Sequence, residues 1–159
     1  MYISVIGGSK CSKETYELAY KVGREIAKRK AILICGGLSG VMDASAKGAK
    51  EAGGITVGIL PGDTRIGVSK YLDISLPTGM SEARNVLVVK AADVVIAIGG
   101  EYGTLSEISH ALKMNIPVVG LKTWDIGKDE FGVSRIIKAD DPISAVEKAY
   151  KLVKKTNII

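Results

Sequence analysis

Residues 31–60 read AILICGGLSGVMDASAKGAKEAGGITVGIL, and this stretch decides the fold. An apolar run, Ala31 to Cys35, stops at Gly36-Gly37. Val41 to Ala52 then reads as a helix, with Ala44, Gly48 and Ala52 forming one small-residue face at four-residue spacing. Such a face is expected to let the helix sit close to a sheet. Gly53-Gly54 ends the helix, because glycine accepts the left-handed backbone of a helix C-terminus. A second apolar run, Ile55 to Leu60, closes at Pro61-Gly62. Both runs are continuously apolar rather than alternating, which predicts strands of a parallel sheet covered on both faces.

The same alternation extends in both directions. Strands are expected at Tyr2 to Ile6, Leu72 to Leu76, Val94 to Ile98, Pro117 to Leu121 and Arg135 to Lys138. Helices are expected at Lys13 to Arg29, Met80 to Ala91 and Thr104 to Met114, with a last one starting at Pro142 after an Asp141 cap. No linker or repeat interrupts the pattern. The expectation is a single domain over residues 1–159, an α/β doubly wound, Rossmann-like parallel sheet with helices on both faces. In such sheets ligands bind outside the carboxyl ends of the strands, where the strand order reverses.

Composition narrows the class. Hydrophobic residues are 47% and charged residues 25% of the chain, a globular balance. The net charge is +5, but the lysines lie along predicted helices and no RNA- or DNA-binding motif accompanies them, so no nucleic-acid partner is expected. Cys11 and Cys35 form no Cys-x-x-Cys pair, and no metal constellation is visible. No apolar stretch approaches the ~18 residues of a membrane span. The chain is therefore expected to be cytoplasmic, with no membrane partner.

Three strand ends carry paired glycines: Gly7-Gly8, Gly36-Gly37 and Gly99-Gly100. All three should lie on one edge of the sheet. There backbone amides can approach a ligand closely and helix N-termini add partial positive charge, which predicts a site for a small phosphate-bearing ligand, nucleotide-like in kind. Neither Gly-x-x-x-x-Gly-Lys-Ser/Thr nor Gly-x-Gly-x-x-Gly is present, which argues against a P-loop ATPase and an ordinary NAD-binding fold.

Gly36-Gly37-Leu38-Ser39-Gly40-Val41-Met42, with Gly48-Ala49 and Gly53 to Pro61, resembles the first half of the LOG-type Rossmann family. That family includes cytokinin riboside 5'-monophosphate phosphoribohydrolases, "lysine decarboxylase-like" proteins and molybdenum cofactor carrier proteins. Gly79-Met80-Ser81-Glu82-Ala83-Arg84-Asn85 is similar to the family segment bearing a methionine, an arginine and a lysine. Gly99-Gly100-Glu101-Tyr102-Gly103-Thr104-Leu105-Ser106-Glu107 resembles its Pro-Gly-Gly-x-Gly-Thr-x-x-Glu motif. Asn85 stands where the family has lysine, and Gly99 and Glu101 stand where it has proline and the second glycine. These departures draw the chain towards the branch that holds the cofactor carriers.

The resemblance implies a homodimer or higher homo-oligomer and assigns roles. Arg84 and Glu107 become the catalytic candidates. Gly8, Ser9, Gly36, Gly37, Gly40, Met80, Asn85, Gly99, Gly100, Gly103 and Thr104 become the ligand- and phosphate-binding candidates. The activity implied is hydrolysis of the N-glycosidic bond of a nucleoside 5'-monophosphate to free base and ribose 5-phosphate. Cleavage builds positive charge on the ribose, which Glu107 would stabilise while Arg84 grips the substrate or its departing base. The alternative is a non-enzymatic carrier holding molybdopterin in the same pocket. Neither needs a separate cofactor, the ligand itself being the nucleotide or the molybdopterin, and no lysine stands in a setting for pyridoxal-phosphate chemistry.

Other readings of the same residues stay open. Thr104-Leu105-Ser106-Glu107 also matches a capping box, with Thr104 as cap and Glu107 bonding back to it. His110 is expected on a helix surface or in the core, Trp124 in packing, and Asp43 near Gly40 as a weak ribose candidate.

Overall fold

The computed structural model describes residues 1–133 and 135–156; residues 157–159 of the expected domain lie outside the described residues. Strands β1 (Tyr2–Gly7), β2 (Ile32–Cys35), β3 (Thr56–Leu60) and β4 (Ile74–Pro77) alternate with helices α1 (Lys13–Lys28) and α2 (Val41–Glu51). A 3₁₀ turn (Ser81–Arg84) and α3 (Asn85–Lys90) lead into β5 (Val94–Ile98) and α4 (Tyr102–Lys113). The chain continues through β6 (Val118–Leu121) and β7 (Ile136–Ala139) into α5 (Pro142–Thr156). All seven strands are parallel, in the order β4-β3-β2-β1-β5-β6-β7. The sequence runs outward from β1 to β4, then returns to the other side of β1 to lay down β5. The reversal between β1 and β5 opens a crevice at their carboxyl ends.

The strand composition follows from burial on both faces. Ile3, Val5, Leu33, Cys35, Val94, Ile96 and Ile98 pack on one side with residues of α1, α2 and α5. Ile6, Ile34, Val95 and Ala97 pack on the other with Val88, Val89, Ile108 and Ala111 of α3 and α4. Successive strand residues face opposite layers, so β5 must be apolar at every position, and Val94 to Ile98 are all fully buried. Among the described residues, no helix is long and apolar enough to cross a membrane.

The small face of α2 also meets α1, at Gly48. A Cβ on Gly48 would stand 1.9 Å from the Tyr20 carbonyl oxygen, and one on Gly23 would stand 2.0 Å from the Ser45 carbonyl oxygen. Gly48 and Gly23 thus seat α1 on α2, backbone against backbone, while Ala44 and Ala49 share a core cluster with residues of the sheet.

The expected helix from Met80 to Ala91 also divides. Ser81 takes the left-handed φ of 49°, and its N–H donates to the Pro61 carbonyl at 2.9 Å. Tying this segment to the turn after β3 breaks the helix in two and fixes where Arg84 stands.

Candidate functional site

At the carboxyl ends of the strands lies a cleft of about 580 Å³, within the range of small-molecule sites. Gly7, Gly8 and Ser9 enter it from the end of β1, and Glu101, Gly103, Thr104 and Glu107 from the start of α4. Ser81, Glu82, Arg84 and Asn85 come from the 3₁₀ turn and α3. Leu38, Met42, Pro61 and Gly62 complete the wall.

Helix α4 begins at Tyr102, two residues before the expected start. Glu101 is its N-cap, and the Glu101 side chain accepts no first-turn N–H. The opening amides of a 12-residue helix are therefore left without a side-chain cap at the positive end of the helix dipole. By contrast, Ser12 caps α1 by accepting the Thr15 N–H at 3.1 Å. The start of α4 therefore presents free amide donors beside the cleft. Because Thr104 sits inside the first turn, it is not the cap, and the capping box read from the sequence does not form. Glu107 lies one turn further in, free of that role.

Arg84 and Glu107 are buried together, 5% and 7% exposed. Burial pushes the Glu107 carboxyl up to about 7, with the positive charge of Arg84 pulling the other way. Burial likewise lowers the Arg84 pKa, though a guanidinium stays charged in a protein. Nε and Nη1 of Arg84 are buried with no hydrogen-bond partner. Arg84 thus carries buried N–H donors without acceptors at the edge of the cleft, with the Glu107 carboxyl as its charged neighbour.

The structure brings together Gly8, Ser9, Arg84, Asn85, Gly103, Thr104 and Glu107 of the expected site. Gly36, Gly37, Gly40, Met80, Gly99 and Gly100 do not line the cleft. Most of these serve the packing behind it. A Cβ on Gly36 would lie 2.2 Å from Nη1 of Arg84 and 2.6 Å from the Met42 sulfur, so glycine there leaves the space that the guanidinium fills. Gly37 packs against Leu60, and Gly40 against the carbonyls of Gly8 and Ser9. At φ 118°, a Cβ on Gly100 would meet the Thr104 side chain at 2.5 Å. Gly99 has the left-handed φ of 54° and lies against Thr15. Met80 is exposed, at the cap of the 3₁₀ turn.

Asp43 does not face the cleft. Its two oxygens accept hydrogen bonds from the Tyr16 hydroxyl (3.0 Å) and the Ser69 hydroxyl (2.7 Å). His110 is exposed on α4. Trp124 buttresses the glycine loop: its indole N–H donates to the Glu101 carbonyl at 3.3 Å, and its ring lies 5.9 Å from that of Tyr102. Thr123 adds a 2.5 Å hydrogen bond to the Gly99 carbonyl. Sequence reasoning did not place Gly7, Leu38, Met42, Pro61, Gly62, Ser81, Glu82 and Glu101 among the site residues, though they line the cleft. Pro61-Gly62 carried a glycine-turn signal at the end of a strand, and Leu38, Met42, Ser81 and Glu82 lay within the segments that carry the family resemblance.

Comparisons with known proteins agree with this fold. The profile of the SLOG cluster4 family matches residues 1–152. An uncharacterised Archaeoglobus fulgidus protein is 50% identical over 122 residues, covering 77% of this chain and 80% of that one. The molybdenum cofactor binding protein of Rippkaea orientalis superposes with a TM-score of 0.88 at 34% identity, covering 96% of each chain. The Moco carrier protein of Chlamydomonas reinhardtii gives 0.87 at 34% identity, covering 97% of this chain and 98% of that one. A cytokinin riboside 5'-monophosphate phosphoribohydrolase of Arabidopsis thaliana is 33% identical over 111 residues, which is 67% of this chain but 48% of that one. The chain thus spans about half the length of its plant relative.

Proposed function

The chain belongs to the SLOG cluster4 family, and on that premise we propose that it holds a phosphate-bearing molybdopterin-type cofactor in the cleft between β1 and β5, as a carrier. The observation that carries the reading is the buried guanidinium of Arg84, with Nε and Nη1 unpartnered, in the same cleft as the uncapped start of α4. A phosphoryl group supplies the acceptors and the negative charge that both lack. Likeness over nearly the whole of both chains to two molybdenum cofactor proteins favours this ligand. Among the described residues no three His, Cys, Asp or Glu side chains converge to hold a metal, so the pterin itself would carry the molybdenum. In this reading residues 1–159 act as one ligand-binding domain, in the cytoplasm and as a homodimer or higher homo-oligomer.

Mixing the protein with cofactor released from a molybdoenzyme and then passing it over a desalting column tests the carrier reading. Retention of pterin and molybdenum near one per chain, lost in Arg84→Met, is expected. A wild-type protein that elutes without either would overturn it.

One observation favours a second reading. Glu107, buried and poised near pH 7, has the character of a group that stabilises or transfers charge during catalysis. In that reading the cleft hydrolyses the N-glycosidic bond of a nucleoside 5'-monophosphate, with Glu107 facing the ribose and Arg84 gripping the anion or the base. Release of base and ribose 5-phosphate from a panel of monophosphates, abolished in Glu107→Gln, is the expected result; no release above buffer removes this reading and leaves the carrier.

A further inference from the structure

The loop that leads into α4 is held from outside the cleft. Gly99 and Gly100 take positive φ values of 54° and 118°, backbone that favours glycine. With no side chain on two successive residues, such a loop has little of its own to fix it. Two side chains from the segment after β6 do so. The Thr123 hydroxyl donates to the Gly99 carbonyl at 2.5 Å, and the Trp124 indole N–H donates to the Glu101 carbonyl at 3.3 Å. The Glu101 carbonyl also accepts the Leu105 N–H at 3.1 Å, the first backbone hydrogen bond of α4. Trp124 therefore anchors the peptide from which the helix starts. Neither Thr123 nor Trp124 lines the cleft, whereas Glu101, Gly103 and Thr104 do. The two line a smaller recess at the ends of β6 and β7 instead.

Clamping the carbonyls of Gly99 and Glu101 fixes the peptides between them, and with these the direction of the first amides of α4. Those amides carry no side-chain cap, and Arg84 reaches the same cleft from the 3₁₀ turn. For one anion to meet both, the two sets of donors must keep their relative position. A loop free to rock would have to be ordered each time ligand binds, at a cost in affinity. Resting on the anion-cleft reading above, we propose that Thr123 and Trp124 are positioning residues. They preorganise residues 99–102 so that the start of α4 and Arg84 address the same anion, and neither touches it.

Titration calorimetry of the full chain with inorganic phosphate tests the clamp. Thr123→Val keeps the shape and deletes the hydroxyl; Trp124→Phe keeps a ring and deletes the N–H. Each should weaken phosphate binding about fivefold, the worth of one hydrogen bond, and the pair together by roughly 25-fold. Thr123→Ser keeps the hydroxyl and should bind as wild type does. A role in packing alone would lower stability in urea unfolding and leave the affinity of the folded variants unchanged, and that outcome overturns the proposal. So does a Thr123→Ser variant that loses as much affinity as Thr123→Val. Trp124 is the one tryptophan of the chain, so its fluorescence reads the clamp without any substitution there. Its emission should shift as phosphate saturates the wild type and stay unchanged when phosphate is added to Arg84→Met; constant emission in a saturated wild type also overturns the clamp. The parent reading fails separately. If wild type binds neither phosphate nor AMP, or if Arg84→Met binds as well as wild type, the anion cleft falls and the clamp with it. Binding that depends on Arg84 but not on Thr123 or Trp124 overturns the clamp alone.

Discussion

Replacing Glu107 by glutamine should change how stability depends on pH, and the size of the change follows from burial. The carboxyl is raised from an ordinary value of 4.5 to about 7 in the fold, chiefly because its charged form is poorly solvated there. Below pH 4.5 both folded and unfolded chains hold the proton, and the group costs nothing. As pH rises towards 7 the unfolded chain releases its proton while the fold retains it, so stability falls. Above 7 both are ionised and the loss is complete, at about 3 kcal/mol. Between pH 5 and pH 8 the wild type should therefore lose about 2.5 kcal/mol through this group, equivalent to roughly 5–10 °C in Tm for a chain of this size. Glutamine cannot ionise. Whatever constant penalty its amide brings, its stability curve should lack this slope. Urea unfolding followed by circular dichroism at pH 5, 6, 7 and 8 for both proteins gives the comparison. Two curves that stay parallel over this range would show that Glu107 titrates normally and would refute its burial as the source of a perturbed carboxyl.

Arg84→Met removes a cation without buried hydrogen-bond partners at Nε and Nη1. Anion affinity should drop by roughly 10- to 100-fold, the worth of charged hydrogen bonds, while stability is unchanged or higher; calorimetry with inorganic phosphate and a melting curve read the two effects. The same variant should raise the Glu107 pKa further, since Arg84 is what holds it down, and a carbon-13 NMR titration of the carboxyl would report the shift. Gly36→Ala has no left-handed backbone to strain, so its effect should fall on the guanidinium that its methyl would displace, weakening phosphate binding about tenfold with a smaller loss of stability. Gly48→Ala should do the reverse, forcing α1 and α2 apart at the Tyr20 carbonyl and destabilising by roughly 2–3 kcal/mol in urea titrations while leaving the ligand affinity of the surviving fold intact.

The sequence by itself determined the parallel sheet, its two covered faces and the edge at which the cleft opens. Those features depend on local pattern: continuously apolar strands such as Val94 to Ile98 are compatible only with burial on both sides, and paired glycines mark where strands turn into helices. It also singled out Arg84 and Glu107, through resemblance and motif position. Tertiary structure decided the rest, because those questions concern distance between segments far apart in the chain. Whether Glu107 closes a capping box depended on α4 starting at Tyr102 rather than Thr104. Whether Gly36 touches ligand or makes room for Arg84 depended on a side chain 48 positions away. The placement of Arg84 in turn rests on Ser81 bonding back to Pro61, a contact that no local propensity encodes. Apolar periodicity reports which side of a segment is buried; it holds no information about which two buried charges share a cleft, since that is set by how the loops at the strand ends converge after the sheet has formed.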